Sequence, residues 1–341
     1  MLSKMKNKGL HQFNKAFLLN NAIYFVLLIL IAVVVAIDST FLNPRNFGFI
    51  LTQASTRIVL ALGVGGIIVL GGTDLSVGRM VGLASVISAS LLQEVTHPAR
   101  VFPDMPALPI IVPILLVIVI CALISGMSGV IAAKLNVAPF IVTLGMMLII
   151  YGGASIYYEQ VGASPIGGLD VRFTRFAQGS LDLGFVNVPF IVLYAVAIIA
   201  FIWFIWNKTK LGRNMFAVGG NVEAAEVSGI NIAINIIIVY ILAGILYGFG
   251  GALEVARTGS ATNNLGNGYE MDAIAACVVG GVSLMGGVGK VSGIVAGALI
   301  FQVINYGLVY IGTNPYLLYI IKGAIVIMAV AIDTQKYVKK K

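Results

Sequence analysis

An all-α, polytopic membrane fold of about ten helices is predicted by three features of this 341-residue sequence. Hydrophobic residues make up 59% of it and charged residues only 10%. A soluble domain has about 45–50% apolar residues, glycine included, and about 25% charged. Mean hydropathy is +1.02. The apolar residues also fall in long runs, and a spanning helix needs about 20 of them. About ten spans therefore use nearly the whole chain, which excludes a soluble enzyme, a disordered regulator and a secreted disulfide scaffold. Cys121 and Cys277 lie in apolar stretches and read as small hydrophobes.

The runs lie at roughly 19–37, 47–71, 80–93, 109–133, 137–158, 188–206, 233–253, 273–289, 291–311 and 315–332. The first follows Lys4, Lys6, Lys8 and Lys15, but it exceeds the roughly 7–15 apolar residues of a signal peptide and nine more follow it. The chain is thus a single transmembrane domain over 1–341, with short basic tails at about 1–18 and 333–341. Orientation follows from lysine and arginine, because positively charged loops stay in the cytoplasm. With both termini cytoplasmic, that side receives Lys4, Lys6, Lys8, Lys15, Arg79, Lys134, Lys208, Lys210, Arg213, Lys290, Lys336, Lys339, Lys340 and Lys341, 14 of the 21 bases. Nine of the 13 acids fall outside: Asp38, Glu94, Asp104, Glu159, Asp170, Asp182, Glu254, Glu270 and Asp272. Topology accounts for the net charge of +8, and nucleic acid is not an expected partner. Only the outer loop at about 159–187 and the inner loop at about 207–232 are long, and neither holds a domain of about 50 residues.

Several chemistries are missing. The nearest approach to the phosphate cradle GxxxxGK[ST] is LMGGVGKV, which has Leu284 in place of the first glycine and Val291 in place of Ser/Thr. The chain therefore carries no ATPase. His11 and His97 lie in a tail and an outer loop, and no cluster has metal-ligand spacing, so neither metal nor catalytic residues are expected. Ion-coupled transport normally needs a carboxylate inside the bilayer. Asp74 is the one candidate, which keeps a proton-coupled sugar carrier as the alternative reading. Arg57 and Lys322 fall within spans, where ion pairing inside the bundle or snorkelling is favoured over substrate contact.

Two glycine-rich segments, 69–93 and 278–302, each begin with two apolar residues and Gly-Gly and resume as a small-residue helix, which suggests an internal repeat. Gly71, Gly72, Gly78, Gly280, Gly281, Gly286, Gly287 and Gly289 each disfavour helix by about 1 kcal/mol relative to alanine. Such density predicts broken or re-entrant helix, or very close packing, and paired broken segments point to a translocation site. Polar residues near them are Gln53, Thr73, Asp74, Ser76, Thr143, Asn263, Asn264, Gln302 and Asn305. Their hydroxyls and amides suit a neutral polyhydroxy solute.

In the inner loop, GGNVEAAEVSGINI (219–232) predicts a short helix capped by Asn221 and ended by Gly229. The same stretch resembles the cytoplasmic coupling element of permease subunits of bacterial ABC sugar importers of the ribose/galactoside branch. GGTDLSVGR, NVAPFIVTLGMM, NNLGNGYEMDAIAACVVGGVSLMGGVGKVSG and NPYLLYIIKGAIVIMAVAID are similar to that family too, so the resemblance covers most of the chain. VGASPIGG, WNKTKLGRN, ATNNLG and INYGLVYIGTNPY resemble its galactoside members in particular. The resemblance implies a multi-pass permease in the bacterial inner membrane that imports a monosaccharide such as galactose, methyl galactoside or glucose. It also implies a second copy of the chain, a cytosolic ATPase that holds ATP and Mg, a periplasmic or extracellular sugar-binding protein, and membrane lipid around the helices. Gly219, Gly220, Asn221, Glu223, Ala224, Ala225, Ser228 and Gly229 then form the ATPase-coupling loop. Glu223, Ala224, Ala225 and Gly229 match the start of the EAA-loop pattern, but no Ile-x-Leu-Pro ending follows. The coupling geometry of importers with the full motif is therefore not carried over.

Overall fold

The computed structural model describes residues 22–338 apart from 183, 185 and 186. The expected N-terminal tail, with Lys4, Lys6, Lys8, Lys15 and His11, lies outside the described residues, as do Lys339, Lys340 and Lys341. Each of the ten apolar runs holds a helix. In chain order these are α1 (Ala22–Ile37), α2 (Pro44–Val69), α3 (Val77–Leu91), α4 (Ile111–Lys134), α5 (Pro139–Gln160), α7 (Phe190–Lys208), α10 (Ile232–Thr258), α11 (Tyr269–Val279), α12 (Val291–Tyr310) and α13 (Pro315–Val338). α6 (Val171–Gln178) and the short hairpin of β1 (Ser180–Asp182) with β2 (Asn187–Pro189) fill the long outer loop, while α8 (Lys210–Gly220) and α9 (Val222–Val227) fill the inner one. α13 continues through 333–338, the described part of the expected C-terminal tail.

Helix ends follow their sequence signals. Asn43 accepts a hydrogen bond from Arg45 N ahead of Pro44, and Asn231 accepts one from Ile234 N at the start of α10. Among the described residues, six helices (α2, α4, α5, α7, α10 and α12) are long and apolar enough to cross a membrane. α3 and α11 are not: their 15 and 11 residues rise about 22 Å and about 16 Å, short of the roughly 30 Å hydrocarbon core.

α10 is the central helix, packed on α2, α3 and α4. Gly244 and Gly248, four residues apart, place its backbone against Ala122 and Ile118 of α4, where an added Cβ would lie 2.7 Å from either Cα. In a bilayer this close approach replaces the solvent-driven burial that apolar lipid cannot supply. Outward faces are apolar: Leu115, Val119 and Leu123 of α4, Leu148 and Ile149 of α5, and Phe201 and Phe204 of α7 are exposed, as expected of a lipid-facing belt.

Candidate functional site

α2 ends in a Schellman turn. Gly71, at φ +84°, donates to Ile68 O, and Gly72 donates to Ile67 O. From Gly72 to Ser76 the chain is irregular, bending at Leu75, before α3 begins. Backbone inside a bilayer must be satisfied internally, and side chains satisfy it here. Asp74 Oδ1 accepts from Ser76 N at 2.8 Å and Ser76 Oγ at 2.6 Å, and Tyr247 of α10 donates to Oδ2 at 3.1 Å. Thr143 of α5 donates to Thr73 O at 3.2 Å and accepts from Leu75 N at 3.2 Å. Asp74, Ser76 and Thr143 are all buried, at 1% exposure or less. These residues hold the break in shape; they do not face an opening.

The 278–302 segment is interrupted too. α11 ends there in its own Schellman turn, with Gly281 at φ +81° and Val282 N donating to Cys277 O; Gly286 and Gly287 also take positive φ, and α12 then starts at Val291 and packs back along α11. The two Gly-Gly pairs are also out of step, because the left-handed residue is the first glycine at Gly71 and the second at Gly281. A further interruption precedes α11, over Gly259–Gly268. One end, Ala261, pairs with Ile166 of the outer loop. The other lies at the start of α3, where a Cβ on Gly78 would overlap Gly266 O and the Glu270 carboxylate. A short helix thus follows the breaks at 72–76 and 259–268, and the N-termini of these two helices, α3 and α11, meet.

Arg79, placed on the cytoplasmic side by charge counting, lies at this meeting of α3 and α11. Its guanidinium donates to Asn264 Oδ1 at 3.2 Å and Asn267 Oδ1 at 2.9 Å, and lies 4.2 Å from the ring centroid of Tyr151. Tyr151 is twelve residues into α5, about 18 Å along it. Asn263 donates to Ser155 Oγ at 3.0 Å, one turn further along α5. Asn264, Asn267 and Tyr151 are exposed and Arg79 is half-buried. An arginine facing lipid at such a depth costs about 2.5–3.5 kcal/mol. Arg79, Asn267 and Tyr151 escaped the sequence reading, although Arg79 and Asn267 stand inside the two quoted motifs.

Three acids move off the outer surface. Glu254 is 0% exposed and bonded to Arg257 (2.7 Å), Tyr269 OH (2.7 Å) and Thr56 Oγ1 (2.8 Å). Asp272 pairs with Lys322 at 2.8 Å and Arg57 at 3.6 Å, and Arg57 stacks on the Tyr269 ring. Glu270 abuts Gly78. Both intramembrane bases are thus ion-paired within the bundle, tying α2, α11 and α13 together. Gln53 accepts from Gln302 Nε2 at 2.9 Å, and Asn305 shares a small cavity with Gln302, Arg57 and Asp272.

The inner loop bears on both glycine turns. Asn221 accepts from Ala224 N at 2.8 Å, and Gly229, at φ +77°, ends the turn. α9 buries Ala225 but presents Glu223, Ala224 and Ser228, with Val222 50% and Val227 91% exposed. At the end of α8, Gly219 lies so close to Val69 O that a Cβ there would overlap it, with Gly287 N at 2.7 Å. A Cβ on Gly286 would lie 2.6 Å from Gly219 O, and one on Gly287 2.7 Å from Gly220 Cα. Gly287 N donates to Val69 O at 2.8 Å. Three distant segments meet backbone to backbone.

Residues 46–330 match the family described as branched-chain amino acid transport system / permease component. The galactose/methyl galactoside import permease protein MglC of Haemophilus influenzae is 57% identical over 330 residues, covering 96% of this chain and 98% of its own. That of Escherichia coli is 57% identical over 325 residues, covering 95% and 97%. The ribose import permease protein RbsC of Escherichia coli is 37% identical over 331 residues, covering 96% and 98%. No solved structure matches. A family match over most of the chain, with relatives aligned nearly end to end, identifies the chain as a member of this family of transport-system permease components.

Proposed function

We propose that the chain is the membrane subunit of an importer for galactose or methyl galactoside, working as a homodimer in the bacterial inner membrane. It is a transport subunit and not an enzyme: a separate cytosolic ATPase holds ATP and Mg, and an external binding protein delivers the sugar. The substrate follows from the MglC relatives at 57% identity. The mechanism rests on the glycine junction. α9 offers Glu223 and Val227 to a cytosolic partner, and Gly219 and Gly220, just ahead of it, lie on Val69, Gly286 and Gly287. Displacing α9 therefore displaces the inner ends of α2, α11 and α12 together, because no side chains lie between to absorb the motion. Alternating access follows when ATP binding moves the two α9 elements of a dimer. Asp74 does not favour the proton-coupled alternative, since Ser76 and Tyr247 already occupy its oxygens.

The test is reconstitution with the ATPase and binding protein in vesicles. Galactose should stimulate ATP hydrolysis and accumulate, with methyl galactoside, glucose and ribose run as competitors. Replacing Glu223 and Gly229 together should abolish both stimulation and uptake while the chain still inserts. Normal uptake by that double variant removes the reading.

A further inference from the structure

The polar cluster at the meeting of the two short helices has a composition of its own. Arg79 spends one donor on Asn264 and one on Asn267, leaving three of its five N–H groups. Because each asparagine turns its carbonyl oxygen toward the guanidinium, each directs its NH2 group elsewhere. The cluster is donor-rich, and Glu270, against Gly78, adds a carboxylate acceptor beside it. One positive and one negative group leave no net charge, so the site suits a neutral ligand rich in hydroxyls, not an anion. Tyr151, beside the Arg79 guanidinium, supplies an aromatic surface of the kind that packs on the C–H face of a pyranose.

We propose that Arg79, Asn264 and Asn267, with Tyr151 and Glu270, form a sugar-contacting station midway along the passage. This rests on the importer reading above and adds which residues touch the solute. The station binds weakly, as a transit site must. Its guanidinium donates to ring or hydroxyl oxygens, and Glu270 accepts from a hydroxyl.

The experiment uses the full importer in vesicles. Cys121 and Cys277 are both 0% exposed, so a cysteine introduced by Asn267→Cys is read over a silent background. A charged, water-soluble thiol reagent should modify it, and galactose during turnover should slow that modification at least threefold. Arg79→Ala and Asn264→Ala should each lower galactose uptake tenfold or more while the permease still co-purifies with the ATPase. Modification of Asn267→Cys only by a lipid-soluble reagent overturns the station, because the cluster then faces the bilayer. So does aqueous modification that galactose leaves unchanged. If Arg79→Ala does not insert, the Asn267→Cys labelling decides alone. Failure of the unaltered chain to take up any sugar with its ATPase sinks the importer reading instead, and so separates the two.

Discussion

Gly287 donates its backbone N–H to the carbonyl oxygen of Val69 at 2.8 Å, joining the turn after α11 to the last residue of α2. Gly219 lies against both partners of that bond. The junction contains no side chain, so its tightness depends on glycine at specific places and not on general flexibility.

Neighbouring glycines should therefore behave oppositely. A Cβ on Gly219 would overlap Val69 O, whereas one on Gly220 meets nothing within 4 Å. Gly219→Ala should disrupt the junction and abolish sugar-stimulated ATP hydrolysis. Gly220→Ala should retain it, and should raise thermal stability slightly, since alanine favours helix by about 1 kcal/mol over glycine. Stimulated hydrolysis and melting temperature of the two purified variants check this. Equal loss in both would mean that the contact itself is unimportant.

Asp74 should matter for assembly and not for proton coupling. Asp74→Ala strands the hydroxyls of Ser76 and Tyr247 and the amide of Ser76. Leaving a buried polar group unsatisfied costs about 1–3 kcal/mol. A melting temperature lower by several degrees is expected, with partial recovery in Asp74→Asn, which keeps one acceptor oxygen. Uptake by the unaltered chain should not depend on a proton gradient, as dissipating the gradient at constant ATP will show.

Much of the helical layout was legible because its causes are local. Each of the ten apolar runs holds a helix, and the Asn221 cap and Gly229 stop of α9 follow from single residues. The break before α11 was not legible, because SATNNLGNG reads as an ordinary polar loop. It packs its backbone onto α3 only because Gly78 and Gly82, far away in sequence, lack the side chains that would exclude its carbonyls. Asp272 was assigned to the outer surface for the same reason: its counter-ions Arg57 and Lys322 lie on other helices, and no window of sequence contains both members. Glu254 has Arg257 within its own turn, but its other partners, Thr56 and Tyr269, come from other helices.

In the outer loop, Asp170 starts α6 by accepting from Arg172 N at 2.8 Å, and its carboxylate is gripped by the Arg172 guanidinium at 2.6 Å. Those hydrogen bonds hold the carboxyl below its ordinary value. The depressed value means that the contribution is fully present above the unfolded carboxylate range, about pH 4. It is lost only as pH falls through the lower folded value. Amide exchange of α6 should thus be flat between pH 5 and 8 after correction for intrinsic rates. Asp170→Asn retains a capping residue but loses the ion pair, and because Arg172 is 58% exposed solvent screening should keep the change in α6 exchange small.

Asp272 offers the sharper electrostatic test, because two cations depend on it. It is 12% exposed and bridges Arg57 and Lys322, each 23% exposed. Removing the shared carboxylate leaves two positive groups facing each other in a poorly hydrated space, and an uncompensated buried charge costs about 3–5 kcal/mol. Removing Lys322 leaves Asp272 paired with Arg57, so Lys322→Met should cost much less than Asp272→Ala. The double variant should be more stable than Asp272→Ala alone, because deleting the second cation relieves the repulsion that the first change created. Melting temperatures of the four proteins in one detergent check the cycle. If the double variant loses the sum of the two single losses, the pair contributes no coupling and α13 is held to α11 by its apolar contacts alone.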